Sequence, residues 1–184
     1  MQPRDVLDFW FGQPPKNWFR KDAAFDATIR ARFGATIDKA VSGGLREWDR
    51  QGPAGTLARI LVLDQFTRNA WRGTPAAFAG DALALAAALV LVESGGDQAL
   101  TPQQRAFAYM PFEHAEDPAM QQRAVDLFTQ LAAQHDGLTD TRDYACRHRA
   151  VIARFGRFPH RNAILGRPST PDETAFLAEP GSRF

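Results

Sequence analysis

Apolar residues recur along the chain at the three- and four-residue intervals of one face of an α-helix. Phe25, Ile29, Phe33 and Ile37, for example, lie four residues apart, so they share one face of a predicted helix. No stretch alternates apolar and polar residues convincingly with the period of two that a half-buried β-strand requires. The pattern therefore predicts an all-α protein.

Several helix starts are marked by a capping oxygen followed at once by proline. These starts are Thr74-Pro75, Thr101-Pro102, Asp117-Pro118 and Thr170-Pro171. Together with the apolar periodicity, they predict helices over residues 3–11, 22–42, 55–70, 75–94, 102–115, 118–135, 141–156 and 171–178. The connections are short, which favours antiparallel neighbours. We therefore expect stacked helical hairpins.

Length and composition favour one globular domain. The chain has 184 residues, of which 45% are hydrophobic, enough for a core without disulfides or metals. We expect that domain to span residues 1–178 and residues 179–184 to form a loose tail.

The single cysteine, Cys146, and the charged residues near the start of the chain favour a location in the cytoplasm. The most apolar stretch, residues 82–92, is short for a bilayer span, so no membrane partner is expected.

Positive charge is concentrated near the C-terminus. Residues 142–167 hold seven arginines and one acid, Asp143, which gives +6, whereas the whole chain carries +1 and the remainder therefore −5. An Arg-rich helix can simply be solvated and paired with acids elsewhere, or it can form an anion-binding surface. The small net charge makes nucleic acid the least favoured partner.

Three apolar helix faces are interrupted by groups that are costly to bury. Asp64 continues the stripe of Leu57 and Leu61 and faces Arg68 one turn later, which predicts a buried ion pair. His114 and His148 each lie on another apolar face and are candidate catalytic residues; the alternative is that each is a satisfied core histidine.

A loop rich in forked hydrogen-bond donors follows the predicted helix 141–156. Gly156 ends the helix, and it is followed by Arg157, His160, Arg161 and Asn162. This loop is suited to an anionic group, or it locks neighbouring helices by satisfying their terminal carbonyls. Both interpretations stay open.

Metal and cofactor chemistry is not supported by the spacing of potential ligands. Glu113 and Glu116 could share a helix face, but His114 points about 100° away from Glu113, and the sequence has no HExxH or CxxC pattern. Dinucleotide, Walker and nucleophile-elbow motifs are also missing from the sequence. The sequence therefore predicts no metal and no cofactor.

Specific strings of residues resemble a known bacterial family. They include residues 63–69 (LDQFTRN), 109–114 (YMPFEH) and 154–162 (RFGRFPHRN), and the similarity extends over almost the whole chain. The chain resembles the family called domain of unknown function 924, which implies an all-helical fold related to tetratricopeptide-like hairpins but no established reaction. Thr67 replaces the proline usual in that family, and threonine predicts that the helix continues smoothly to Arg68.

The best hypothesis from the sequence is a pocket at the junction of three helices and the Arg-rich loop. It would bind a small anionic or phosphate-bearing ligand, with acid–base catalysis by His114 and His148. The candidate ligand-binding residues are Asp64, Arg68, Asn69, Arg105, Glu113, Glu116, Arg157, His160, Arg161 and Asn162. The alternative is a non-catalytic helical module that binds a protein or peptide partner.

Overall fold

A computed structural model describes residues 1–182, and within them it contains nine α-helices and no β-strand. The helices are α1 (Pro3–Phe11), α2 (Ala23–Val41), α3 (Pro53–Leu61), α4 (Thr67–Ala70), α5 (Asp81–Glu93), α6 (Pro102–His114), α7 (Pro118–Gln134), α8 (Thr139–Phe155) and α9 (Pro171–Leu177). The predicted all-α class is confirmed. The tetratricopeptide-like arrangement stays a prediction.

The predicted caps form at the starts marked by Thr101-Pro102, Asp117-Pro118 and Thr170-Pro171. Asp117 accepts hydrogen bonds from the backbone N–H groups of Ala119 and Met120 at the start of α7. Thr101 accepts one from the N–H of Gln104, and Thr170 accepts one from the N–H of Glu173. These contacts satisfy N–H groups that have no partner inside a helix, which explains the accurate starts.

The predicted helix 75–94 is wrong as a single element. Residues Pro75–Phe78 form a short 3₁₀ turn, and α5 begins only at Asp81. Gly80 lies at the break, where an added Cβ would be 2.1 Å from the Leu63 carbonyl oxygen. The backbone at Leu63, just after the end of α3, thus lies too close to Gly80 to leave room for a side chain at residue 80.

The same stretch is the part of the chain that most resembles a membrane span. Pro75–Glu93 is long and apolar enough to cross a bilayer, by length and composition only, with a mean hydropathy of 2.0. Its continuous helix, α5, has 13 residues and so a length of about 20 Å, against about 30 Å of hydrocarbon. The expectation that the chain has no membrane partner stays a prediction.

The predicted helix 55–70 is present but is not uniform. Between α3 and α4, residues Val62–Phe66 widen into a π-helical turn, so the expected smooth continuation is wrong. The Thr67 hydroxyl donates to the carbonyl oxygens of Leu63 and Asp64 at 2.8 and 3.3 Å. A π turn disturbs the regular i to i−4 ladder, and this hydroxyl supplies a donor at that place.

The chain divides into two compact units, so the prediction of one domain over residues 1–178 stays a prediction. The first unit comprises Met1–Arg72 and Ala76–Pro111. Its core is aromatic: Trp10, Phe33 and Phe66 are fully buried, and Trp10 contacts the rings of Phe66 and Phe107. Each such side chain contributes about 2 kcal/mol of burial free energy.

The second unit comprises Gly73–Pro75 and the chain from Phe112 onward. Helices α7 and α8 pack against each other in it, with Leu131 and Ile152 buried. Of the predicted tail, Ser182 is buried and its hydroxyl donates to the Leu177 carbonyl at 3.2 Å. The remaining tail residues, 183 and 184, lie outside the described residues.

Candidate functional site

The first unit contains four of the predicted site residues, and Asp64 and Arg68 form the predicted buried pair. Arg68 Nη1 lies 3.2 Å from Asp64 Oδ1. The sequence prediction missed Asp81, whose carboxylate accepts two hydrogen bonds from the Arg68 guanidinium at 2.8 and 3.1 Å. Burial opposes the charge on Arg68, but the two carboxylates outweigh it, so its pKa lies above the ordinary value.

Asn69 takes part in a second contact within this unit. Its side-chain amide donates to Asp26 Oδ1 at 2.8 Å, and Arg72 donates twice to the same carboxylate. Burial alone would raise the pKa of Asp26, but the hydrogen bonds from Arg72 and Asn69 lower it overall. Asn69 therefore helps to join α2 to α4.

Arg105 belongs to a third network of the first unit. Its Nε donates to the Tyr109 hydroxyl at 3.0 Å, and that hydroxyl donates to the buried carboxylate of Asp97. Burial and the hydrogen bond to Asp97 raise the pKa of Tyr109 to about 12. Tyr109 is therefore a hydrogen-bond donor at neutral pH.

The second unit contains the strongest candidate for acid–base chemistry, a buried pair of Glu113 and His148. Oε1 of Glu113, near the end of α6, lies 2.7 Å from Nδ1 of His148 on α8, and both residues are more than nine-tenths buried. The same Nδ1 lies 2.9 Å from the Tyr144 carbonyl oxygen. A carboxylate and a carbonyl only accept, so the Nδ1 atom must carry the hydrogen.

His114 and Arg161 lie beside this pair. The His114 and His148 ring centroids are 6.3 Å apart, and Arg161 Nη2 donates to the His114 carbonyl oxygen at 3.0 Å. The Arg161 guanidinium also lies over the Phe158 ring, 4.5 Å from its centroid. The two histidines and one arginine of the sequence hypothesis thus meet within the second unit.

His160 is a third histidine of the second unit, and the charges of the neighbouring arginine and histidines act on it. Burial is the main cause that lowers its pKa to about 3, and the charges of Arg161, His148 and His114 act in the same direction. His160 is therefore neutral at physiological pH. A neutral imidazole can accept or donate a hydrogen bond there but adds no charge.

The low pKa of His160 predicts a loss of stability below neutral pH. The unfolded chain binds a proton at His160 below about pH 6.5, whereas the folded chain resists it until about pH 3. Stability therefore falls as the pH drops through this window, by about 2 kcal/mol between about pH 7.5 and pH 5. Urea unfolding at both pH values should show a smaller loss for His160→Gln. An identical loss in both proteins would contradict this prediction.

The remaining predicted residues, Glu116, Arg157 and Asn162, form ion pairs and hydrogen bonds inside the second unit. Glu116 accepts two hydrogen bonds from Arg167 at 2.7 and 2.9 Å and one from the Phe158 N–H at 2.7 Å. Arg157 donates twice to Glu173 at 2.7 and 2.8 Å, and Asn162 donates to it at 3.2 Å. The contact of the kind that the helix-locking interpretation predicts is the one from Arg161 to the carbonyl oxygen of His114, the last residue of α6.

Two of these partners were missed from the sequence. Arg167 gives no local signal, because it lies 51 residues from Glu116. Glu173 could have been found, because Thr170-Pro171-Asp172-Glu173 matches the capping box, and both of its reciprocal hydrogen bonds are present.

The predicted residues thus lie in both compact units. Asp64, Arg68, Asn69 and Arg105 lie in the first and the others in the second, so one shared pocket stays a prediction. Within residues 1–182, no group of three His, Cys, Asp or Glu side chains could hold a metal ion.

These features describe an all-helical protein whose second unit holds a carboxylate–histidine pair beside a network of arginine–carboxylate ion pairs. The chain belongs to the family of bacterial proteins of unknown function called domain of unknown function 924, whose model matches residues 6–181. It is similar to a solved protein of unknown function from Agrobacterium tumefaciens, with 44% identity, a TM-score of 0.87 and 96% of each chain covered. No curated protein matches the chain. The resemblance seen in the sequence is thereby confirmed.

Proposed function

We propose that the second unit binds a small anionic ligand bearing a phosphate or carboxylate group and exchanges a proton with it. The observation that carries this proposal is the 2.7 Å contact between the buried Glu113 and His148. Catalytic histidines are oriented by a carboxylate in this way, since the partner fixes the tautomer and stabilises the imidazolium.

The hydrogen on His148 Nδ1 defines the chemical role of the other ring nitrogen. With Nδ1 donating to Glu113 and Tyr144, Nε2 of the neutral ring has a lone pair and can accept a proton from a ligand. The protonated ring would keep its contact with the Glu113 carboxylate, 2.7 Å away. His148 is therefore the proposed proton carrier, and Glu113 is its positioning residue.

The neighbouring groups supply positive charge and a contact with solvent. Arg161 adds a guanidinium beside His114, whereas the charge of Glu116 is balanced by Arg167. His114 is only partly buried, so a ligand would reach it before His148, which is 5% exposed. Arg161 and His114 are accordingly the proposed contacts for the anion.

Inorganic phosphate and a phosphate monoester such as phenyl phosphate are suitable probes. We expect both to raise the melting temperature of the full chain and to shift the ring resonances of His114 and His148 in NMR spectra. Replacing His148 by glutamine removes the cationic form but retains a donor for Glu113. The dissociation constant for phosphate should then rise about tenfold.

Arg149→Ala is the matched control, because Arg149 is exposed on α8 next to His148 and contacts Gln122. It should bind phosphate as the original protein does. Equal affinities in the original protein and in His148→Gln, or no histidine shift with either probe, would overturn the proposal.

A second candidate function is that of a cytoplasmic helical module that binds an acidic segment of a partner protein. It is supported by the outer face of α8, where Tyr144 is half exposed and the Arg147 guanidinium lies over its ring. A single variant on α8 distinguishes the two proposed functions. Arg147→Glu should abolish binding of an acidic partner. It should leave phosphate binding by the histidine cluster (His114, His148 and Arg161) intact.

A further inference from the structure

A cavity of about 470 Å³ lies in the first unit, and its lining includes none of the candidate catalytic or ligand-binding residues. It is formed by the 3₁₀ segment Arg46–Gln51, the first turn of α3 and one face of α5. Its volume falls within the range of sites that bind small molecules.

One wall of the cavity is apolar and is supplied by α5. Leu83, Ala87, Val90 and Leu91 line it. Val90 is 67% exposed, which is unusual for a large aliphatic side chain beside a concave surface. This wall is suited to an aliphatic or aromatic ligand body rather than to water.

The opposite wall carries charge, and its charges do not cancel. Arg59 donates to both carboxylate oxygens of Asp49 at 2.8 and 2.7 Å, which neutralises this pair. Arg46, the remaining charged residue of the lining, makes no ion pair or hydrogen bond through its side chain within residues 1–182. The residue before it, Leu45, is buried and adopts a left-handed backbone conformation with φ of 63°. Such strain persists only where packing enforces it.

A polar group without a partner also lines the cavity. Thr56 is 93% buried, since its exposed fraction is 7%, and its hydroxyl makes no hydrogen bond with any residue between 1 and 182. Thr56 lies in the first turn of α3, whose N-cap, Gly52, has no side chain, and the N–H groups of Gly55 and Thr56 donate to the Gly52 carbonyl oxygen. A threonine hydroxyl that lines a cavity can donate to an anion, and the positive end of a helix favours a negative group.

We propose that this cavity binds a small amphiphilic anion, a carboxylate with an apolar tail. The carboxylate would lie between Arg46 and the Thr56 hydroxyl, and the tail would lie along Leu83, Ala87 and Val90. This site is separate from the histidine cluster, and neither proposal depends on the other.

Decanoate is the probe, and decyltrimethylammonium is its cationic counterpart with the same tail. Isothermal titration of the full chain at neutral pH should show saturable binding of one decanoate per chain, and weaker or no binding of the cation. Arg46→Ala should raise the dissociation constant for decanoate about tenfold. Arg50→Ala should not change it, because Arg50 is an exposed arginine of the same segment that does not line the cavity.

Ala86→Trp tests the apolar part of the site. Ala86 is exposed and lines the cavity, so the indole should block tail binding without changing thermal unfolding of the unliganded protein. Absence of saturable decanoate binding, or equal affinity for decanoate and the cation, would overturn the proposal. So would a dimer in sedimentation velocity that Val90→Asp dissociates, because a second copy would then cover this wall.

Discussion

Replacing Arg68 with alanine should lower the free energy of unfolding by about 4 kcal/mol, as expected when one partner of a buried ion pair is removed. Arg68 lies between two carboxylates, Asp64 and Asp81. Asp64 is 1% exposed and would retain a side-chain hydrogen bond from Gln65. Without the guanidinium, two negative groups would remain close together with less compensation.

Urea unfolding followed by circular dichroism measures this loss, with Arg72→Ala as the matched control. Arg72 also makes a bidentate contact with a carboxylate, that of Asp26, but its side chain is 37% exposed, so we expect a loss of about 1 kcal/mol or less. Asp64→Ala should cost less than Arg68→Ala, because Asp81 still pairs with Arg68. Equal losses for Arg68→Ala and Arg72→Ala would contradict the prediction.

Local signals explain why most helices could be predicted from the sequence. The starts of α6, α7 and α9 depend on residues that are adjacent in the chain, such as Asp117 and Pro118. The break before α5 could not be read in the same way. It depends on the close approach of Gly80 to the Leu63 carbonyl, a contact between residues 17 positions apart in the sequence.

The candidate site shows the same division between local and distant information. The pair of Asp64 and Arg68 is one helical turn apart and was predictable. The contact of Glu113 with His148 joins two helices, and sequence periodicity could indicate only that His148 interrupts an apolar face. Their pairing requires the folded arrangement of the second unit, which contains both residues. Asp81, the second partner of Arg68, was missed because it begins another helix.

Replacing Glu173 with alanine should lower the free energy of unfolding by about 3 kcal/mol. Its carboxylate accepts hydrogen bonds from Arg157, from the Asn162 side chain and from the Thr170 N–H. Loss of charge-assisted bonds contributes about 2 kcal/mol, and loss of the capping box contributes about 1 kcal/mol. The hydrogen bond from Arg157, opposed by burial, lowers the pKa of Glu173 to about 2.

This low pKa gives the prediction a pH dependence with a definite sign. Glu173 stabilises the fold fully above its ordinary pKa of 4.5, and this contribution is lost as the pH falls through about 2. The difference in stability between the original protein and Glu173→Gln should therefore shrink in acid. Asp172→Ala is the control, because Asp172 lies in the same turn of α9 and is exposed. A difference that stays constant from pH 7 to pH 2 would show that Glu173 acts through packing and not through its charge.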